Sequence, residues 1–367
     1  MTQITISGTE FLLDGTPTYP GRTFQGEPVQ GLLFNVRAVQ AAFDDANPET
    51  RRHWAYPDTG AWDPQRNTDE LCAALPAWRA HGVLALTINV QGGGPMYVPE
   101  IYQNYDNNGF TPEGALKPAY AARIEKVLAC ADELGLVAIV GMFYWKQTQK
   151  MDGDAAIWRA TREMLAFLQG TGRKNILIEI ANETGPRFGS DLFLVDRAAD
   201  MIHTLRSEFP GFLYSTSQGG LDLERGRELP SPALIDAVDF LMPHGNGNTA
   251  ERLAAGLDAI LAMPAYQANP KPILINEDST GVANLDVCWP RYVSWGYYSQ
   301  GCNGEGHRSH DIYADWSEPR ESDYASLSGF QTPPVNWTIN TPRKQAFFER
   351  VAEITGYPVP LSPQPSI

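Results

Sequence analysis

Apolar and polar positions follow two alternating patterns along the chain. Short unbroken aliphatic runs, typical of strands buried on both faces, alternate with longer segments whose apolar residues recur at helical spacing. The runs predict strands at residues 31–36, 83–90, 136–143, 176–182, 211–217, 237–242, 272–276 and 295–298. The helical spacing predicts helices at residues 68–81, 118–134, 154–168, 190–208, 249–262, 288–294 and 341–354.

Strands that alternate with helices predict a parallel sheet covered by helices, and eight such units favour closure into a barrel. We therefore expect an α/β fold in which residues 1–367 form a single (β/α)8 TIM barrel with long βα loops. Residues 1–25 begin with an alternating pattern and a turn, which predicts an N-terminal β-hairpin. Residues 301–340 are expected to form a long loop after the eighth strand.

Two of the predicted strands end in a carboxylate. The fourth runs from Ile176 into Asn182 and Glu183, and the seventh runs from Pro272 into Glu277. Because active sites of parallel barrels lie at the C-terminal ends of the strands, both glutamates are expected at the same rim. Two facing carboxylates are what glycoside hydrolysis requires, one of them as the acid/base and the other as the nucleophile.

This arrangement resembles the large clan of retaining glycoside hydrolases on (β/α)8 barrels that includes the cellulase-like family 5. In both, an Asn-Glu pair closes one strand and a second strand far downstream ends in Glu. The resemblance implies hydrolysis of β-glycosidic bonds in an oligo- or polysaccharide by double displacement, with Glu183 as acid/base and Glu277 as nucleophile. It also implies that the N-terminal hairpin closes the lower end of the barrel.

Several neighbouring residues are candidates for binding substrate. Asn182 is expected to bond the sugar 2-hydroxyl, a contact that strengthens in the transition state. His244 leaves the sixth strand towards the same rim, as a substrate-binding His does in family 5. There a Tyr follows two residues later, whereas this chain has Asn246. The clan's Arg near strand two is also absent, and Arg37 on strand one is expected to replace it; both departures indicate a divergent family.

Aromatic and amide side chains near the strand ends complete the candidate substrate site. Tyr144 and Trp145 follow the third strand, and Trp295 or Tyr297 lies on the eighth; such rings stack on the apolar faces of sugars. The predicted substrate-binding residues are Asn182, His244, Arg37, Tyr144, Trp145, Trp295, Asn89 and Gln91. The aromatic loops after strands one, two and eight are expected to build the subsites.

Glu179 needs a separate explanation, because strand alternation places it on the same face as Glu183, inside the barrel below the rim. A buried carboxylate needs a partner. Arg37 is the candidate partner, and a structural role is expected for Glu179, with electrostatic tuning of the site as the alternative.

Three other hypotheses remain open. A non-catalytic carbohydrate-binding barrel would keep the fold and the aromatic residues, although the presence of both glutamates argues against it. A metal-dependent barrel hydrolase would use His307 and His310, although this segment is a loop and the early strands carry no histidines. An inverting glycosidase would need its carboxylates wider apart, at roughly 6.5–9.5 Å.

Charge and composition narrow the class of partner. The formal net charge is -15, with no basic cluster, which argues against nucleic acid and anionic membranes and favours a neutral carbohydrate substrate. The glycines at 92–94 are not followed by a phosphate-binding Lys-Ser/Thr pair, and neither a metal nor any other cofactor is expected.

The termini and cysteines suggest the compartment. No signal peptide pattern opens the sequence, so a cytoplasmic location is expected as written, or a secreted or periplasmic one if a leader has been removed. The four cysteines are widely spaced, which favours free thiols over a disulfide framework.

Overall fold

The computed structural model describes residues 1–93, 104–224, 229–279, 281–298, 329–331 and 333–358. The chain opens with short antiparallel strands: β1 (Ile4–Ser7), β2 (Glu10–Leu13), β3 (Thr16–Pro17), β4 (Thr23–Phe24) and β5 (Glu27–Pro28). The barrel strands follow: β6 (Asn35–Arg37), β7 (Ala85–Asn89), β8 (Val137–Tyr144), β9 (Ile176–Asn182), β10 (Leu213–Ser215), β11 (Ser217–Gly220), β12 (Met242–His244), β13 (Ile273–Leu274), β14 (Val293–Ser294) and β15 (Gly296–Tyr297).

Parallel pairing runs around the whole ring. Six strands form one sheet in the order β10, β9, β8, β7, β6, β15. β11 follows β10 after one residue and pairs with β12, and a bridge from Leu241 to Ile273 links β12 to β13. β13 pairs with β14, which leads through Trp295 into β15 beside β6. The predicted α/β barrel is confirmed, with β10–β11 as the fifth strand and β14–β15 as the eighth.

The helices lie between the strands, largely as predicted. They are α1 (Pro48–Arg51), α2 (Pro64–Ala80), α3 (Pro118–Glu133), α4 (Trp145–Thr148), α5 (Gly153–Gly170), α6 (Val195–Glu208), α7 (Pro232–Ala237), α8 (Ala250–Leu261), α9 (Pro264–Ala268), α10 (Val282–Cys288) and α11 (Pro342–Thr355). Single turns of 3-10 helix occur at Arg52–Trp54, Pro186–Phe188, Asp191–Phe193 and Trp289–Arg291.

Three helix starts differ from the prediction. α2 begins four residues before Thr68, because the Asp63 side chain caps it by accepting bonds from two backbone N–H groups at 2.9 and 3.0 Å. The helix predicted at 190–208 begins at Val195 after a separate 3-10 turn capped by Ser190. The helix predicted at 288–294 begins instead at Val282 and ends at Cys288, and strand eight starts at Val293.

The N-terminal hairpin covers the lower end of the barrel, as the resemblance implied. The Ile4 N–H donates to the carbonyl of Lys174 at 3.0 Å, immediately before β9 begins. The Phe11 side chain is fully buried and meets Phe240 edge to face, with ring centroids 6.0 Å apart. Glu183 follows the opposite end of β9, so the hairpin leaves the C-terminal rim open.

A Phe11→Ala variant should lower the free energy of unfolding by about 3–5 kcal/mol, because it leaves a cavity under the barrel. Urea denaturation monitored by tryptophan fluorescence measures this change. Leu12→Ala, on the half-exposed face of the same strand, is the matched control and should cost much less. Equal losses in both variants would show that the hairpin does not seal the core.

Candidate active site

Four polar side chains from four strands meet at the C-terminal rim. Arg37 ends β6 and His244 ends β12, while Glu183 immediately follows β9 and Glu277 lies three residues beyond β13. His244 Nδ1 lies 3.2 Å from Glu183 Oε1 and 3.7 Å from Glu277 Oε2. One nitrogen of His244 and one oxygen of each glutamate all lie within 4.8 Å of one another, so the two carboxyl groups meet at one imidazole.

Glu277 is held by two donors. Arg37 Nη2 lies 2.6 Å from its Oε2, and the Asn246 amide donates to its Oε1 at 2.6 Å. Burial raises the pKa of Glu277, while the charges of Arg37 and His244 oppose that shift. Since Arg37 is a permanent cation and is itself buried, the ionised carboxylate is its natural counterion. Asn246, which the sequence presented as a departure from family 5, therefore contacts the candidate nucleophile directly.

Glu183 occupies a strained backbone position. Its φ is +56°, in the left-handed region that non-glycine residues rarely adopt. Its N–H donates to the Ser217 hydroxyl at 2.9 Å, which ties the end of β9 to β11. The turn interrupts strand alternation, so the consecutive residues Asn182 and Glu183 both reach the rim. Asn182 Oδ1 accepts from Arg37 Nη2 at 2.5 Å, while Glu183 faces His244.

The charges around Glu183 favour its ionised form. Burial acts to raise its pKa, but the hydrogen bond and charge of His244, together with Arg187, outweigh burial and lower the pKa to about 2. Arg187 Nη2 lies 2.5 Å from Glu183 Oε2, and its side chain is 54% exposed, so water weakens this ion pair. Burial acts to lower the pKa of His244, but Glu277 and Glu183 outweigh burial and raise it.

A second polar layer lies directly below the rim. His244 Nε2 lies 3.1 Å from Asn276 Oδ1, and Asn276 Nδ2 lies 3.1 Å from Glu179 Oε2. The prediction that Arg37 pairs with Glu179 was wrong, because Arg37 points up to Glu277 and Asn182. Within the described ranges Glu179 instead accepts a hydrogen bond from the Asn276 amide. The sequence alone gave no sign of this role for Asn276.

Asp278, next to Glu277 in the chain, faces away from the rim. Its carboxylate accepts bonds from the Asn284 amide at 2.9 Å and from the Trp295 indole at 2.6 Å. Burial raises the pKa of Asp278 to about 6, against the opposing effect of both bonds. Gly245 packs against it so closely that a Cβ would lie 2.5 Å from the Asp278 Cγ. Asp278 therefore anchors the end of strand seven and leaves Glu277 as the facing carboxylate.

Trp295 and Tyr297 do not fit the predicted stacking role. Both rings are fully buried and pack on Phe347, with centroid distances of 5.8 and 5.2 Å. A ring enclosed by core side chains presents no face to a sugar.

Tyr144 and Trp145 do lie near the rim. Tyr144 ends β8, and its ring centroid is 5.9 Å from that of the half-buried Trp145. The Arg187 guanidinium lies 5.6 Å from the Trp145 ring while its Nη2 contacts Glu183. Trp145 is therefore placed beside the candidate acid/base.

The amides after strand two hold the neighbouring loops. Gln91 is fully buried; its Oε1 accepts from the Tyr144 N–H at 3.0 Å and from the Thr148 hydroxyl at 2.7 Å, and its Nε2 donates to Asn108 at 3.0 Å. These bonds make Gln91 a structural residue, contrary to its predicted contact with substrate. Asn89 lies deeper, with its Oδ1 buried and without a partner within the described ranges.

The aromatic loop after strand one has packed into a core of its own. Phe43, Trp54, Tyr56, Trp62 and Tyr105 form a separate buried cluster, in which Tyr56 and Trp62 stack at 5.8 Å. These rings were expected to build subsites, and their burial shows why aromatic content alone is a poor guide. The alternative metal residues His307 and His310 lie outside the described residues.

Glu183, His244 and Glu277 also have the spacing of a metal site. They fit a cation poorly, because Arg37 already contacts Glu277 and Arg187 already contacts Glu183.

Among the helices of the described ranges, none has the length and apolar character needed to span a bilayer.

Comparison with known proteins gives a likeness of fold. No protein family model matches the chain, and no curated protein matches its sequence. An endo-β-1,4-mannanase from Thermotoga petrophila superposes with a TM-score of 0.52 at 14% identity, over 88% of this chain and 76% of that one. A family 5 mannosidase from Rhizomucor miehei superposes with a TM-score of 0.52 at 12% identity, over 97% of this chain and 98% of that one.

An endo-1,4-β-mannanase from Eisenia fetida gives a TM-score of 0.50 at 12% identity, over 90% of this chain and 98% of that one. At these identities the comparison establishes architecture. The fold resemblance predicted from two carboxylate-ended strands is confirmed: this chain has a (β/α)8 barrel similar to those of two endo-mannanases and a glycoside hydrolase family 5 mannosidase.

Proposed function

We propose that the protein is a retaining glycoside hydrolase that cleaves a β-glycosidic bond, with Glu277 as nucleophile and Glu183 as acid/base. The observation that carries the proposal is the pair of facing carboxyl groups, since one carboxylate oxygen of Glu183 and one of Glu277 lie within 4.8 Å of each other at the rim. Retaining enzymes hold these groups roughly 5–5.5 Å apart, and inverting enzymes roughly 6.5–9.5 Å apart. The separation favours direct attack by one carboxylate.

The surroundings of the two glutamates support different roles. Glu277 is bonded to a permanent cation and to an amide N–H, which orient the carboxylate for attack and favour its ionised form against the burial that raises its pKa. Glu183 is the more exposed of the two, with 16% of its side chain accessible, and its neighbour His244 can exchange a proton. The acid/base must gain and lose a proton in each cycle. The charges around Glu183 keep it ionised in the free site, so its proton must come from the adjoining His244.

The chemistry then proceeds in two displacements. Glu277 attacks the anomeric carbon while Glu183 gives a proton to the leaving oxygen, which forms a glycosyl ester on Glu277. Glu183, now a carboxylate, takes a proton from water, which attacks the same carbon and releases the sugar. Because Arg37 only donates, Asn182 must turn Oδ1 towards Arg37, and its NH2 group is left for the sugar 2-hydroxyl.

The substrate class follows from charge and from the fold relatives. The net charge of -15 favours a neutral glycan. The structural relatives are described as mannanases and a mannosidase, so we infer that β-linked mannose polymers and oligomers are the first substrates to test. Trp145 beside Glu183 would support the leaving-group sugar by stacking.

Carboxyl-to-amide substitutions test both roles on a panel of aryl β-glycosides. Glu277→Gln should reduce kcat below about a ten-thousandth of wild type on every substrate, because no covalent ester can form. Glu183→Gln should lose roughly 10²–10⁴-fold on poor leaving groups, keep activity on good ones, and give a β-glycosyl azide when azide is added. Glu349→Gln, exposed on α11, is the control. Full activity in both site variants would eliminate the proposal.

The pH profile tests the pairing of Arg37 with Glu277. Arg37→Met removes the cation that holds down the pKa of Glu277, so that pKa should rise and the acidic limb of kcat/KM should move up by roughly 1–3 pH units. Arg159→Met, which removes an exposed helix ion pair, should leave the limb in place. An unmoved acidic limb in Arg37→Met would mean that Glu277 does not control it.

A further inference from the structure

The hydrogen bonds below the rim form a chain that ends at the candidate acid/base. Glu179 Oε2 meets Asn276 Nδ2, Asn276 Oδ1 meets His244 Nε2, and His244 Nδ1 meets Glu183 Oε1. All three contacts lie between 3.1 and 3.2 Å. Glu179, Asn276 and His244 are each fully buried, so no solvent competes for these bonds.

The chemistry of the groups fixes the direction of each bond. A carboxylate oxygen only accepts, so the Asn276 amide must turn its NH2 group to Glu179 and its carbonyl oxygen to His244. An amide oxygen also only accepts, so His244 Nε2 must carry a hydrogen. The Thr87 hydroxyl oxygen lies 3.3 Å from Asn276 Nδ2 and can accept the second hydrogen of this NH2 group.

We propose that Glu179 and Asn276 are positioning residues that hold the hydrogen of neutral His244 on Nε2, so that Nδ1 and Glu183 share the one proton used in catalysis. The proposal rests on the proposed function, because it assigns the source of the proton that Glu183 donates. It also gives the buried Glu179, for which a structural role or electrostatic tuning was expected, a role in proton placement.

The proton transfer is balanced within the pair. When Glu183 becomes the acid, the Nδ1–H bond of His244 breaks and an O–H bond forms on Oε1 of Glu183. His244 is left neutral with its hydrogen on Nε2, and no other reactant takes part. The cluster favours the proton on His244 in the free site, since the imidazolium lies between two carboxylates. Substrate that separates Glu183 from the exposed Arg187 would shift the proton towards Glu183.

Several charged groups face this pair and enter its titration. Glu183 and Glu277 stabilise the imidazolium, and Arg37 opposes it. Asp278 senses the charge of His244, and Glu179 lies behind Asn276. The apparent pKa of the basic limb therefore belongs to the pair within this whole set.

Imidazole nitrogen NMR of wild-type protein labelled with ¹⁵N-histidine is the direct test. The chain has six histidines, and His244 is assigned as the signal missing in His244→Gln. The expected result is a protonated Nε2 at every pH and a titrating Nδ1. A neutral His244 with its hydrogen on Nδ1 would overturn the proposal. This readout needs no activity, so it separates failure of the relay from failure of the proposed function.

The pH profiles of two variants provide a second test. Asn276→Leu removes the acceptor of the Nε2–H bond, so the basic limb of kcat/KM should move down by roughly 1–2 pH units. The double variant Glu179→Gln/Asn276→Asp places a carboxylate directly against His244 Nε2 and should move the basic limb of kcat/KM up. Opposite shifts cannot come from loosened packing alone, and basic limbs that stay in place in both variants would overturn the proposal.

The control is Asn175→Ala. Asn175 is also a fully buried amide, and it donates to the Leu136 carbonyl at 2.7 Å, but it lies at the lower end of the barrel. It should lose stability without moving either limb of the profile. A basic limb that moves as far in Asn175→Ala as in Asn276→Leu would attribute the effect to packing and overturn the proposal.

Discussion

The ion pair between Arg37 and Glu277 organises the open end of the barrel. Removing two charges from water is costly, and the cost is recovered only when geometry is good and the remaining donors and acceptors are bonded. Glu277 meets this condition with Arg37 and Asn246. Arg37 is bonded through Nη2 to Glu277 and Asn182, while its Nε and Nη1 have no hydrogen-bond partner within the described ranges. These contacts join strands one, four and seven and the loop after strand six, so the rim is fixed before any substrate arrives.

The strained turn at Glu183 is the second feature on which the site depends. A regular strand would send Asn182 and Glu183 to opposite faces. The left-handed φ at Glu183 instead brings both to the rim, and the bond from its N–H to Ser217 holds the turn in place. Strain of this kind persists only where surrounding structure over-determines it, and it is concentrated at functional sites.

The rim also shows how a divergent barrel can keep one arrangement with different residues. Arg37 comes from strand one, where the resembled clan uses an Arg near strand two. Asn246 contacts Glu277 from the position where family 5 carries a Tyr. Arg37 and Asn246 both present N–H donors to Glu277, so this carboxylate has two donors although neither residue matches the resembled pattern.

The sequence by itself determined the barrel, the strands that carry Glu183 and Glu277, and the rim position of His244 and Arg37. Buried strands and amphipathic helices leave a local pattern, and a polar residue ending an apolar run marks the rim of a parallel sheet. Only the tertiary structure decided the partners. Two contacts are examples: Glu179 pairs with Asn276, and Trp295 pairs with Asp278. These residues lie on different segments of the chain, and side-chain length and direction decide which of them meet. Burial likewise separated Trp295 and Gln91 from the rim, because an aromatic or amide residue has the same local signature whether it packs in the core or faces a ligand.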